Sequence, residues 1–456
     1  MDRWHRSIKK LAVCREVWRG KNVRTLLLIL TCFFIIITLG KLYSESPSHK
    51  LERRISELQR HGSCVELPRF GVSTHRRRNP DDVNVRLATA VGARIVRFDI
   101  PWSDVEKEGK FDFKEFDYIV QQLREKGKSI LLLLAYGHPD HTDESWATSL
   151  APRTQQQREA YFRYVRAVVE HFHGPDIAYE IWNEPNIWQF WPFTAKAYGA
   201  LLDGAARAIR EIAPKAKIVA AGIANGKNRD SFVREMIANA NLEQVDALAF
   251  HPYRKDGPEN SLLDISEFED ASAMNGQNHP VWLTEWGYSE SWLGQDHAQE
   301  YSRQRQAIMI ARIMLTAALS KARAAIIYDL IDDGPDASDP EFKFGLYDYE
   351  FQPKKAALAF RTLTDLISNC NTYNFEFDPT QKLITATFKD TLHISYVIWT
   401  FGRRRQDVCF LPDSSKGIRL VDLFEKQLPI ASCQGSSNIK LVLSENSGPI
   451  ILTTDR

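Results

Sequence analysis

Two glutamates sit where a carboxylate is hard to keep. Glu184 closes the apolar run in "YEIWNEPN" (residues 179–186), and Glu285 closes another in "VWLTEWG" (residues 281–287). An unpaired charge at the end of a buried strand is costly, so a carboxylate held there needs a reason. Pro185 cannot donate a ladder hydrogen bond, which sets the end of the first run at Glu184. Two carboxylates facing each other across a cleft can divide the work of breaking a glycosidic bond. One protonates the leaving oxygen, and the other attacks the anomeric carbon or activates water.

The two glutamates lie 101 residues apart. A strand-helix unit of a barrel takes about 31 residues, more with insertions, so the gap is three units. The rest of the chain counts the same way. Apolar runs start near residues 69, 93, 129, 176, 217, 245, 281 and 324, and segments with helical spacing of apolar residues lie between them. Eight such units over residues 63–370 predict a (β/α)8 barrel, with Glu184 ending the fourth strand and Glu285 the seventh. A doubly wound sheet is the alternative, but no Gly-rich phosphate fingerprint accompanies it. From residue 371 to 456 the texture changes to short strands and turns without a helical run, which predicts a small β-sandwich.

Barrel chemistry belongs at the carboxyl ends of the strands. The polar and aromatic residues there are Arg97, Asp99 and Trp102 on strand 2, Tyr136, His138 and Asp140 on strand 3, and Asn183 on strand 4. His251 and Tyr253 follow on strand 6, Trp286 on strand 7, Tyr328 and Asp329 on strand 8. Arg97 and Tyr253 could each donate to Glu285 and keep it ionised. Trp102, Trp188, Trp191 and Trp286 are candidate sugar platforms, whereas Trp182 alternates with Asn183 and is read as core. His251 is read either as a member of the glutamate cluster or as a hydrogen-bonded core histidine. "HRRRNPDD" (residues 75–82) puts Arg76, Arg77 and Arg78 after the first strand, as a solvated basic loop or a contact for an acidic polysaccharide. No metal cluster and no cofactor are expected.

"IWNEPN" and "WLTEWG" on strands 4 and 7, with "RIVRFDIPWSDVE" on strand 2 and "FHPY" on strand 6, resemble the clan A glycoside hydrolases, the four-seven superfamily. Within the clan the chain looks most like family 39 and bacterial relatives associated with exopolysaccharide genes. The resemblance covers residues 68 to 370, and a sandwich after the barrel is also similar to the clan. It implies a retaining double displacement on a polysaccharide or oligosaccharide, with Glu184 as acid/base, Asn183 on the sugar 2-hydroxyl and Glu285 as nucleophile. Many clan members carry Trp at the end of strand 8, where this chain has Tyr328. Two other readings share these residues: a carbohydrate-binding pseudoenzyme in a polysaccharide export assembly, and a transglycosylase.

Residues 1–24 carry eight Lys or Arg against two acids, and residues 25–40 are apolar without a charge. This predicts a signal anchor over residues 25–43, at the short end of what spans a bilayer, with a cleaved signal peptide as the alternative. The basic side stays in the cytoplasm, so the remainder lies outside it. Residues 44–62 read as a linker and a stalk helix that lies on the next domain by the face of Leu51, Ile55 and Leu58, with a dimerising stalk as the alternative. The absence of any Asn-x-Ser/Thr sequon favours a bacterial periplasmic or cell-surface setting. A net charge of +1 gives no reason to expect nucleic acid as a partner. Outside the cytoplasm Cys64, Cys370, Cys409 and Cys433 can form disulfides. Four cysteines allow three pairings. Cys64 precedes the first strand and Cys370 ends the last barrel helix, so both fall at the barrel's amino end, which favours Cys64–Cys370 and, in the sandwich, Cys409–Cys433. Free buried thiols are the competing reading.

Overall fold

The computed structural model describes residues 45–75, 80–142, 149–273, 276, 278–293, 299–402 and 405–456. The predicted anchor and Arg76, Arg77 and Arg78 lie outside the described residues. Among the described residues, no helix is long and apolar enough to cross a membrane.

Eight parallel strands close into a barrel. They are β1 (Arg69–Ser73), β2 (Ile95–Asp99), β3 (Ser129–Leu134), β4 (Ile177–Asn183), β5 (Lys217–Ala224), β6 (Ala247–His251), β7 (Val281–Trp286) and β8 (Ala324–Ile327). Eight helices follow them in turn: α1 (Asp81–Ala90), α2 (Lys114–Glu125), α3 (Gln155–His171), α4 (Ala195–Ile212), α5 (Arg229–Asn239), α6 (Ser261–Ser272), α7 (Gln299–Ser320) and α8 (Lys355–Asn369). The strands read as continuous apolar runs because both of their faces are covered. The helix starts are written locally: Thr154 opens α3 with a capping box to Gln157, and Thr194 caps α4.

The barrel interior is layered. At its floor Ile95, Leu131, Ala178, Val219, Ala247, Ala249 and Ile326 form a separate apolar cluster, with Trp282 packed against it. Above this floor the same inward positions turn polar, with Arg97, Glu180, His251 and Thr284 all buried. The apolar layer excludes water beneath, so every polar group above it must find a partner within the protein.

Strands β9 (Thr372–Asp378), β10 (Leu383–Lys389), β11 (His393–Thr400), β13 (Arg419–Asp422) and β15 (Ile450–Asp455) build most of a six-stranded antiparallel sheet. A two-stranded sheet of β12 (Gln406–Phe410) and β14 (Ile439–Leu443) shares a core with it through Leu383, Ile398, Val408 and Leu441. The sixth strand of the large sheet is Arg60–Ser63, which pairs with β9. The end of the segment read as a linker and stalk is therefore a strand of this sheet, which was not expected. The helix Pro47–Leu58 buries Leu51, Ile55 and Leu58, the face expected from their spacing. The other face of the large sheet packs on the barrel, where the Trp399 indole donates to Glu259 at 3.0 Å and Arg312 grips the same carboxylate at 2.9 and 2.6 Å.

The two expected disulfides are present, Cys64–Cys370 and Cys409–Cys433, both with 6.0 Å between Cα atoms. The first joins residues 306 apart in sequence and so removes much loop entropy from the unfolded chain; bridges of this kind contribute roughly 2–5 kcal/mol. Thiol titration of the denatured, unreduced full chain should therefore find two of its six cysteines, Cys14 and Cys32. Six titratable thiols would show that neither bridge forms.

Candidate active site

Both strands that carry the glutamates break their alternation just before them. In β4, Ala178 and Glu180 face the barrel interior, so simple alternation would point Trp182 inward as well. Trp182 instead has φ of +69° and packs into the outer core, and Glu184 has φ of +40°. Left-handed backbone at a non-glycine residue costs roughly 1–2 kcal/mol. Here it brings two consecutive side chains, Asn183 and Glu184, into the cavity, and β4 ends at Asn183, one residue before Pro185 alone would require. In β7 the pairing register with β8 shifts between Leu283 and Trp286. Trp282 and Thr284 face inward, and the irregularity then adds Glu285 to the mouth and sends Trp286 outward.

The cavity at the carboxyl end of the barrel has a volume of about 390 Å³. Its walls include Arg97, Asp99, Tyr136, Asn183, Glu184, Tyr253, Glu285 and Tyr328, eight of the residues expected at the strand ends. A carboxylate oxygen of Glu184 and one of Glu285 lie within 4.8 Å of each other. Arg97 donates to Glu285 at 2.6 Å, to Glu180 at 2.5 Å and to Asn183 Oδ1 at 3.2 Å. The Tyr253 hydroxyl donates to the other Glu285 oxygen at 3.2 Å. Burial alone would raise the Glu285 carboxyl, but the His251 ring and Arg97 outweigh it and hold it below the usual range. Burial, and then Glu285, push the Tyr253 phenol well up, so it remains a neutral donor.

His251 belongs to this cluster and is fully buried. Its Nδ1 lies 2.9 Å from Glu184 Oε1 and 3.6 Å from Glu285 Oε2, and its Nε2 is 3.0 Å from the Thr284 hydroxyl. Burial pulls the ring down, and Glu285 and Glu184 together raise it. Gly222 makes the space: a Cβ there would meet His251 Nε2 at 1.9 Å.

Three expected residues stand elsewhere. Trp102 and His138 are buried behind the wall, where the Trp102 indole and His141 both hydrogen-bond Glu106, and His138 Nε2 contacts the Glu106 carbonyl. Trp286 is buried in the outer core. Proximity to a strand end in sequence did not reveal the turn that carries Trp102 into a short helix, Trp102–Val105. Among the other aromatic candidates, Trp182 and Trp191 are buried, while Trp188 is exposed.

Sequence reasoning missed Glu180, which is closed to solvent, whereas Glu184 and Glu285 are 15% and 13% exposed. A carboxylate in mid-strand was the available signal. It also missed the aromatic walls that arrive from loops, Phe190, Trp292 and Phe344, which stand beside the expected Tyr136. Asp99, expected at the end of β2, and Glu341, which was not, line the cavity as further carboxylates.

Among the described residues two groups have the spacing of metal ligands, Glu184–His251–Glu285 and His75–Asp329–Asp333. In the second, His75 Nδ1 lies 2.8 Å from Asp333. Burial lowers the His75 ring, but Asp333 and Asp329 push it up to about 9, so at neutral pH this nitrogen holds a proton rather than offering a lone pair. A folded-state value above the ordinary 6.5 stabilises the fold fully below pH 6.5, and this contribution is lost as pH rises towards 9. Thermal unfolding of the wild type should lose stability across that window, and His75→Gln should flatten the decline. An identical decline in the variant would contradict the pairing.

The family model for cellulase (glycosyl hydrolase family 5) matches residues 60–324, more than half of the chain. No curated protein matches the chain. Solved structures similar to it include a family 39 glycoside hydrolase from the gut symbiont Bacteroides cellulosilyticus, with 20% identity, coverage of 86% of this chain and 82% of that one, and a TM-score of 0.70. A monomeric β-xylosidase from Caulobacter crescentus is similar at 17% identity, covering 86% and 96%, with a TM-score of 0.62. A family 30 subfamily 8 xylanase from Clostridium acetobutylicum is similar at 14% identity, covering 87% and 98%, with a TM-score of 0.58. At these identities the likeness to solved structures is one of fold. The family match goes further, and by it this chain belongs to the cellulase family of glycosyl hydrolases, family 5, among the retaining enzymes of clan A.

Proposed function

We propose that the protein cleaves a polysaccharide or oligosaccharide by double displacement, with Glu285 as nucleophile and Glu184 as acid/base. The observation that carries this is the pair itself, with oxygens within 4.8 Å. Retaining pairs stand about 5–5.5 Å apart, and inverting pairs about 6.5–9.5 Å to admit a water. The environments of the two are unequal in the required sense. Glu285 accepts from Arg97 and Tyr253 and is held ionised, ready to attack the anomeric carbon. Glu184 faces a histidine nitrogen that can accept its proton in a hydrogen bond.

Asn183 has its carbonyl oxygen on Arg97, so its amide is oriented with donors free for a sugar hydroxyl. Tyr328, Trp292 and Phe344 pack edge to face with one another or with Tyr253 and give the cavity an apolar wall against which a sugar face can lie. Asp99 and Glu341 on the lining are acceptors for sugar hydroxyls.

The roles predict different failures. Glu285→Ala should lose all substrates by a factor of roughly 10⁴ or more, and added azide should restore a product of inverted configuration. Glu184→Gln should lose poor leaving groups by a factor of roughly 10²–10⁴ while still turning over activated aryl glycosides. Swapped phenotypes would reverse the assignment.

For location we propose that residues 25–43 anchor the protein in an inner membrane with the catalytic barrel on the periplasmic or extracellular side. The support is the basic-then-apolar pattern of residues 1–40. Deleting residues 1–43 should release an active soluble protein. Recovery of the natural protein from cells already shortened near residue 45 would replace the anchor with a cleaved signal.

A further inference from the structure

Glu180 is a carboxylate of the barrel interior that the proposed chemistry does not use. It is closed to solvent and gathers three donors: Arg97 Nε at 2.5 Å on one oxygen, and on the other the Thr284 hydroxyl at 2.7 Å and the Gly222 amide at 3.2 Å. As the ion-pair partner of Arg97 it only accepts. The Thr284 hydroxyl has one proton, and it is spent on Glu180. Towards His251 Nε2, 3.0 Å away, Thr284 can then only accept. Nε2 has no direct alternative, because Glu180 Oε1 stands 4.0 Å from it, beyond hydrogen-bond range. Nε2 must therefore carry a proton, and a neutral His251 turns its Nδ1 lone pair towards Glu184 Oε1 at 2.9 Å.

From this chain of donors we propose that Glu180 and Thr284 are positioning residues that fix the His251 tautomer, so that the neutral ring offers Glu184 an acceptor rather than a donor. The opposite tautomer would place an Nδ1–H against Glu184 and favour its carboxylate, which cannot protonate a leaving group. The other groups facing His251 leave the direction unchanged. Glu285 lies 3.6 Å from Nδ1 and accepts instead from Arg97 and Tyr253, and the Tyr253 ring meets the imidazole edge to face at 6.4 Å. When His251 is protonated, Nε2–H still belongs to Thr284, and the second proton lies on the line to Glu184. Arg97 joins the two halves: one guanidinium holds Glu285 ionised and orients Glu180.

The inference rests on Glu184 being the acid/base, and its test has a readout that does not. In NMR of isotope-labelled histidine in the full chain, titrated to the neutral ring, His251 should carry its proton on Nε2 in the wild type and in Thr284→Ser. Thr284→Val removes the acceptor and should move the proton to Nδ1. Glu180→Gln gives a second route, because its amide can donate to Thr284 and reverse the hydroxyl. In kinetics, Thr284→Val should lose about tenfold or more in kcat/KM for glycosides with poor leaving groups, stay within about twofold for activated aryl glycosides, and be rescued by Thr284→Ser. A wild-type proton on Nδ1, or equal losses for both classes of leaving group, would overturn the proposal. Correct tautomers in a protein that turns over no glycoside would leave the relay standing and remove the hydrolase roles instead.

Discussion

Arg97 is buried in the barrel with no solvent to stabilise it, so its charge must be matched by the protein. Two carboxylates from different strands do this, Glu180 of β4 and Glu285 of β7, and Asn183 takes a third donor. A guanidinium has a rigid fork of donors, so these acceptors are fixed in direction as well as in distance. Removing Arg97 would leave two like charges facing each other above an apolar floor. The position of the nucleophile candidate, the orientation of Asn183 and the setting of Glu180 all depend on this one side chain. The polar layer it organises sits directly on the apolar layer, which denies water to every group in it.

The two glutamates reach the mouth through local departures from regular strand geometry. A strict alternation would bury one of each pair of neighbours, Trp182 against Asn183 and Trp286 against Glu285. The left-handed turn at Trp182 and the register shift in β7 let Asn183, Glu184, Thr284 and Glu285 all face the interior. Strain and irregularity at such positions are tolerated because the surrounding core over-determines them. Trp182 and Trp286 supply that core on the outer side.

These departures explain what could be read from the sequence. The eight-unit count, the three-unit gap between Glu184 and Glu285 and the pairing of Cys64 with Cys370 follow from spacing, and spacing is preserved in a chain. Tyr253 follows the strand next to β7, whereas Arg97 reaches Glu285 across the barrel from β2, and that pairing was legible from charge rather than from strand adjacency. Trp102, His138 and Trp286 were expected at the cavity because they follow strands closely, but side-chain direction past a strand end depends on the turn, which spacing does not encode. Glu180 sat unremarked within an apolar run, because its partner is 83 residues away in sequence. The cavity walls Trp292 and Phe344 come from long loops, and the placement of long loops is set by packing rather than by periodicity. The same loops shape the sugar site, so the fold and the family leave the identity of the sugar open to different loop sets.

The account stands or falls on a covalent bond between sugar and Glu285. Incubation with an activated 2-deoxy-2-fluoro glycoside slows the second displacement and traps the intermediate, which peptide mapping by mass spectrometry can locate. The account predicts one sugar per chain, attached to the peptide containing Glu285 and released by an added acceptor. A label on Glu184 or elsewhere, or substrate turnover with an inverted product and no adduct, would contradict it.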